Sequence, residues 1–132
     1  MSRAALVPVA SLVGLLAAAP AEARSPIEGR WEKGNMQIEI KPCGEGYCGT
    51  VIKASDKQKA RARRGSGTEL IGATLIRDIK PNGPGRYRAR VFVADRNIHA
   101  TGRIRQISED LLKVSGCVLA IICRSAEWVR VR

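Results

Sequence analysis

The sequence is short of what most enzymes need. Among its 132 residues there is a single histidine, His99. No serine or cysteine motif accompanies it that would make it a catalytic base, so it reads as a surface residue. There is no glycine-rich phosphate loop, no metal-ligand cluster and no nucleophile elbow. Folding can assemble paired carboxylates, but no spacing points to them, and a hydrolase would need a pocketed acid–base pair. The expectation is a non-enzymatic protein with no cofactor and no resident metal. Aromatics are scarce too: two Trp, two Tyr and one Phe make up 4% of the chain. Nucleic-acid sites interleave basic groups with stacking rings, so nucleic acid is a poor fit.

Acidic residues are outnumbered. Lys and Arg total 23 against 12 Asp and Glu, a net charge of +11. Such a balance favours anionic partners. For an exported chain these are lipopolysaccharide, lipid headgroups, acidic glycans or an acidic protein. The competing reading is that the charge only maintains solubility.

Export is read from the N-terminus. The stretch MSRAALVPVASLVGLLAAAPAEA carries a positive start at Arg3 and an apolar core over residues 4–19. A small-x-small cleavage site follows at Ala21-Glu22-Ala23. The alternative is an uncleaved anchor, but the apolar run is short and Pro8 and Pro20 interrupt it. No cysteine follows the site, which argues against a lipid-modified terminus. The expectation is a signal peptide over 1–23 and a single domain over 24–132, periplasmic or secreted, with no transmembrane segment after cleavage.

Four cysteines remain: Cys43, Cys48, Cys117 and Cys123. An even count behind a secretion signal points to disulfides, with three possible connectivities. The local pairs Cys43–Cys48 and Cys117–Cys123 are favoured. The first flanks Gly44-Glu45-Gly46-Tyr47, a turn-rich loop whose closure is worth roughly 2 kcal/mol in the chain-entropy model. Zinc fits poorly, because neither spacing is the usual two-residue one and His99 is the sole imidazole.

Strand patterns run through the rest of the chain. A short one begins at Gly29-Arg30-Trp31. Others cover 36–42, 47–53, 72–80, 86–93, 98–107, 111–119 and 122–131, with turns at Pro81–Gly85, Ala94–Asn97 and Ser108–Asp110. The tract DKQKARARRGSG is the exception. Ser55 and Gln58 have capping-box spacing, Asp56 and Arg63-Arg64 suit the two ends of a helix dipole, and Gly65 is a natural stop. This predicts an exposed helix over 56–64; a disordered basic loop is the alternative. Closely spaced strands with one short helix predict an all-β antiparallel meander closing into a barrel.

RYRARVFVADRNIHATGRIR, residues 86–105, presents a puzzle. With its turn at Ala94–Asn97, Val93 faces Ile98 and one face is apolar: Tyr87, Ala89 and Val91 opposite Ile104, Gly102 and Ala100. The other face sets Arg88 against Arg103 and Arg86 against Arg105, with Arg90 beside them. Like charges across a ladder cost roughly 0.2–1 kcal/mol per pair. Either the side chains splay into water, or Arg86, Arg88, Arg90, Arg103 and Arg105 form a surface for phosphates or carboxylates, which arginine grips bidentately. On the inner face, the small residues leave room for a ligand or pack against bulky neighbours. Tyr87, Ala89, Val91, Ala100 and Gly102 are the candidate ligand-binding residues.

The segments IEGRW (27–31), CGEGYCGTVIKASD (43–56), LIGATLI (70–76) and GCVLAIICRSAEWVRV (116–131) resemble a bacterial family of secreted proteins catalogued as a domain of unknown function, with a lipocalin-like (calycin) barrel. The resemblance implies an up-and-down barrel of about eight strands. It also implies that Gly29 and Trp31 close one end, with Arg130 packed over the indole as a cation–π pair, in structural roles. It further implies carriage of a small apolar or amphipathic ligand, although fold alone does not fix function.

Overall fold

The chain folds into β1 (Gly29–Lys33), β2 (Met36–Cys43), β3 (Gly46–Lys53), α1 (Asp56–Ser66), β4 (Thr74–Pro81), β5 (Arg86–Val93), β6 (Ile98–Ser108), β7 (Leu111–Val118) and β8 (Ile122–Arg130). This computed structural model describes residues 25–119 and 121–132; the predicted leader lies outside them apart from Ala4, Ala5, Pro8 and Gly14. Each strand pairs antiparallel with the next, and β8 returns to β1, so the sheet is a closed eight-strand barrel. Period-two alternation sorts the faces. In β5, Tyr87 and Ala89 are buried while Arg86, Arg88 and Arg90 are exposed. The β5–β6 register is the one the sequence predicts, from Val93↔Ile98 to Arg86↔Arg105.

The interior is filled by Ile38, Ile40, Val51, Ile79, Ile104 and Leu112, all fully buried. One strand departs from strict alternation. In β4 both Ile76 and Ile79 face inward, three residues apart, and the ladder to β5 shifts between Arg77 and Lys80. Asp78 absorbs the extra residue at φ +48°, a left-handed conformation that Asp tolerates better than most residues.

Helix α1 forms for the local reasons the sequence gives. Ser55 Oγ accepts from the Gln58 amide at 3.2 Å, and Gln58 Oε1 accepts from the Ser55 amide at 2.9 Å. Its end differs from expectation. The helix continues through Gly65, and Gly67 caps it at φ +70°, its amide donating to the Ala62 and Arg63 carbonyls. Gly65 is instead a point of close packing. A Cβ there would collide with the Asp95 carbonyl, so the helix end seats directly on the β5–β6 turn. Ala62, Leu70 and Ala94 are buried together there. Arg63 then grips Glu69 through two bonds of 3.0 and 3.1 Å, which lowers the Glu69 carboxyl pKa.

The opposite end is closed as the resemblance implies. Arg130 lies 4.3 Å from the Trp31 ring centroid. Its guanidinium donates to the carbonyls of Glu28 (2.9 Å), Pro26 (2.6 Å) and Glu109 (2.9 Å). Trp31 Nε1 donates to the Ile27 carbonyl at 2.9 Å. Gly29, at φ +130°, leaves the guanidinium room, since a Cβ there would sit 2.9 Å from Arg130 Nη1. Both disulfides are the local ones, Cys43–Cys48 and Cys117–Cys123. Arg130→Ala removes three charge-assisted bonds and a cation–π contact, so it should destabilise the barrel by about 3 kcal/mol in urea unfolding. Arg130→Lys should restore less than half of that, because an ammonium cannot span the same fork.

Candidate functional site

The two ends of the barrel are unequal. The closed end holds Trp31, the Cys43–Cys48 hairpin and the Pro81–Gly85 segment. At the other end α1 covers the side next to the β5–β6 turn. The β7–β8 side is left bare, and the reason is a short strand. β1 stops at Lys33 and pairs with β8 only at Trp31↔Arg130 and Glu32↔Val129. Above that seam β8 has no ladder partner from β1, and the inner wall of β6–β8 packs against the core only at its lower rows, through Val114 and Ala126.

The register identifies this wall. Leu112↔Trp128, Val114↔Ala126, Gly116↔Arg124 and Val118↔Ile122 share one parity, and buried Leu112 and Trp128 show it is the inner one. Ala100, Val114, Gly116, Val118 and Ala126 are only half-buried, and Ile122 is 61% exposed. Arg124 also lies on the inner register, exposed, beside Gly116. A side chain is not excluded here: a Cβ built on Gly116 would make ordinary contacts with Ala100 Cβ at 3.8 Å and the Thr101 carbonyl at 3.9 Å, without a clash.

The sequence-predicted ligand residues divide between packed core and this wall. Tyr87 and Ala89 are buried. Gly102 is packed shut, since a Cβ there would lie 2.5 Å from Val91 Cγ2. Val91 and Ala100, one row nearer the bare end, are half-buried. Gly116, Ile122 and Arg124 were not singled out from the sequence, although their shared parity with Trp128 signals the inner face. Two open depressions lie on the outside of the barrel. One lies between the Cys43–Cys48 turn and Arg77, the other between Pro26 and Arg130. Neither opens into the barrel.

The outer wall carries the arginines, and more than the sequence singled out. Across β4 to β7 the rows read Arg77, Arg90, Thr101, Cys117; then Lys80, Arg88, Arg103, Ser115; then Arg86, Arg105, Lys113. Arg90 lies 3.8 Å from Asp78 and Lys80 3.8 Å from Glu45. Among the described residues Arg86, Arg88, Arg103 and Arg105 make no ion pair. His99 stacks on Phe92 on the same wall, centroids 4.7 Å apart. No cluster of three or more His, Cys, Asp or Glu able to hold a metal occurs among the described residues.

A family model described as "Uncharacterized protein conserved in bacteria (DUF2147)" matches residues 29–130. The chain belongs to the DUF2147 family. Its matched span runs from the Gly29 that makes room for Arg130 to Arg130 itself. No curated protein matches. Protein HP1028 from the human pathogen Helicobacter pylori, described as belonging to the lipocalin family, is similar in structure with a TM-score of 0.60 and 12% identity. The match covers 80% of this chain and 82% of that one. At this identity the likeness establishes the fold, and the DUF2147 chain is a lipocalin-like barrel.

The packing at Gly102 has a direct test. Gly102→Ala should destabilise the protein by roughly 1–2 kcal/mol, because Val91 must leave its rotamer. Adding Val91→Ala should recover about 1 kcal/mol relative to the sum of the single changes in a double-mutant cycle. Simple additivity would mean that the two residues do not share one packed space.

Proposed function

We propose that this protein is an exported, non-enzymatic carrier of a small apolar or amphipathic molecule, held against the inner wall of β6–β8. One observation carries the reading: inward-facing Ala100, Gly116, Val118 and Ala126 stay half-open, and Ile122 is largely exposed, where the short β1 leaves them uncovered. Ligand sites are concave, mostly apolar, and fixed by a few polar groups. Arg124 is the charged group on that wall. It suits a molecule with an apolar body and an anionic end. Two disulfides fit an oxidising compartment, periplasmic or extracellular. No helix of the described residues is long and apolar enough to cross a membrane.

Titration with a neutral fluorescent arylamine such as N-phenyl-naphthylamine tests the reading. Saturable enhancement that persists at high salt is expected. A Cβ on Gly116 is accommodated at contact distance from Ala100, so Gly116→Val, checked for native folding by circular dichroism, should crowd the wall and lower affinity by roughly tenfold. Absence of saturable binding, or an unaltered affinity in Gly116→Val, overturns the assignment.

A further inference from the structure

The β7–β8 hairpin ends in an unusual tip. Its sequence, Val118-Leu119-Ala120-Ile121-Ile122, contains no residue that tight turns favour. Leu119 adopts φ +56°, a left-handed conformation that Gly or Asn would enter at lower cost. Leu119 is 84% exposed and Ile121 85% exposed; with Ile122 they are the three most exposed large apolar side chains among the described residues. The Cys117–Cys123 bridge staples the hairpin directly beneath them. A turn this apolar, strained and braced is poorly explained by solubility or by local folding preference.

The tip also has a charged companion. Cys117 opposes Thr101, which opposes Arg90, which opposes Arg77. The uppermost row of the cationic wall therefore ends at the base of the tip. Arg103 and Ser115 stand one row below, and Ser115 is four residues from Leu119, about 13 Å along the strand. Arg96 lies in the β5–β6 turn at the same end, exposed. Cations arranged behind a protruding apolar point match the chemistry of an anionic bilayer, where phosphates lie just above the acyl boundary.

We propose that this end of the barrel docks on an anionic phospholipid surface, with Leu119 and Ile121 entering the acyl boundary and Arg90, Arg88 and Arg103 engaging the headgroups. Docking of this kind does not depend on the carrier reading. An acidic glycan or protein would use the arginines without the tip, and this is the distinction the experiment makes.

Co-sedimentation with vesicles of phosphatidylcholine alone, and of phosphatidylcholine with added phosphatidylglycerol, is the test. Binding should require the anionic lipid and weaken steeply with salt. Leu119→Ser with Ile121→Ser should weaken binding by about tenfold or more, while leaving retention on a poly-glutamate column unchanged. Arg88→Glu with Arg103 retained creates an opposite-charge pair across the ladder, so it should fold and bind about tenfold more weakly. A Leu119→Trp reporter should shift its emission to the blue on anionic vesicles. Equal binding to neutral vesicles, no binding at low salt, undiminished binding by the tip variant, or no blue shift would each overturn the proposal.

Discussion

The guanidinium of Arg130 lies over Trp31 and donates to three backbone carbonyls, those of Pro26, Glu28 and Glu109. These belong to the N-terminal segment, the entry to β1 and the β6–β7 turn. An antiparallel barrel needs its first and last strands to meet, yet here they share only two ladder positions. So short a seam holds little hydrogen bonding of its own. The Val131 N–H adds a bond to the Arg30 carbonyl at 3.0 Å, and Arg130 adds three more from one side chain. Its side chain is 18% exposed, and a charge so nearly buried is tolerable because its donors have carbonyl partners and its face has a ring.

What the sequence made legible follows the range of each interaction. The capping box of α1 is an i, i+3 exchange between Ser55 and Gln58, so it could be read directly. The β5–β6 register could be read because each residue of both strands is clearly apolar or clearly charged. Other features answer to distant parts of the chain. Gly65 looks like a helix stop but is small because Asp95 packs on it. The Asp78 bulge exists so that Ile76 and Ile79 can both face the core, which no local pattern announces. The bare wall was hidden for another reason: it follows from where β1 ends. Gly116, Ile122 and Arg124 share the parity of Trp128, but parity alone does not tell which inward positions stay uncovered.

The arginine pairs look unfavourable in isolation and consistent in context. Each exposed like-charge pair costs roughly 0.2–1 kcal/mol, less with salt. Against this stands the register they help fix. Sliding β5 by one residue past β6 would turn Arg86, Arg88 and Arg90 into the space of Tyr87 and Ala89, at a far larger cost of burying unpaired charge. The charges thus hold the apolar face inward whatever they bind. The same strands present two chemically opposite surfaces, an apolar wall inside and a cationic wall outside, and both meet the β7–β8 hairpin.

The shortness of β1 reaches beyond the wall it uncovers. Among the described residues β8 has ladder partners toward β1 only at Val129 and Arg130, so its stretch from Ile122 to Trp128, paired with β7 on one side, has no ladder partner on the other. Free edges are templates for strand addition by another chain. Arg124 and Glu127, both exposed, set charges of opposite sign along this one. A flat apolar segment laid against it would leave both of those charges unmatched. The barrel is therefore closed by connectivity while keeping a guarded margin, and the guard is part of the sequence of the strand itself.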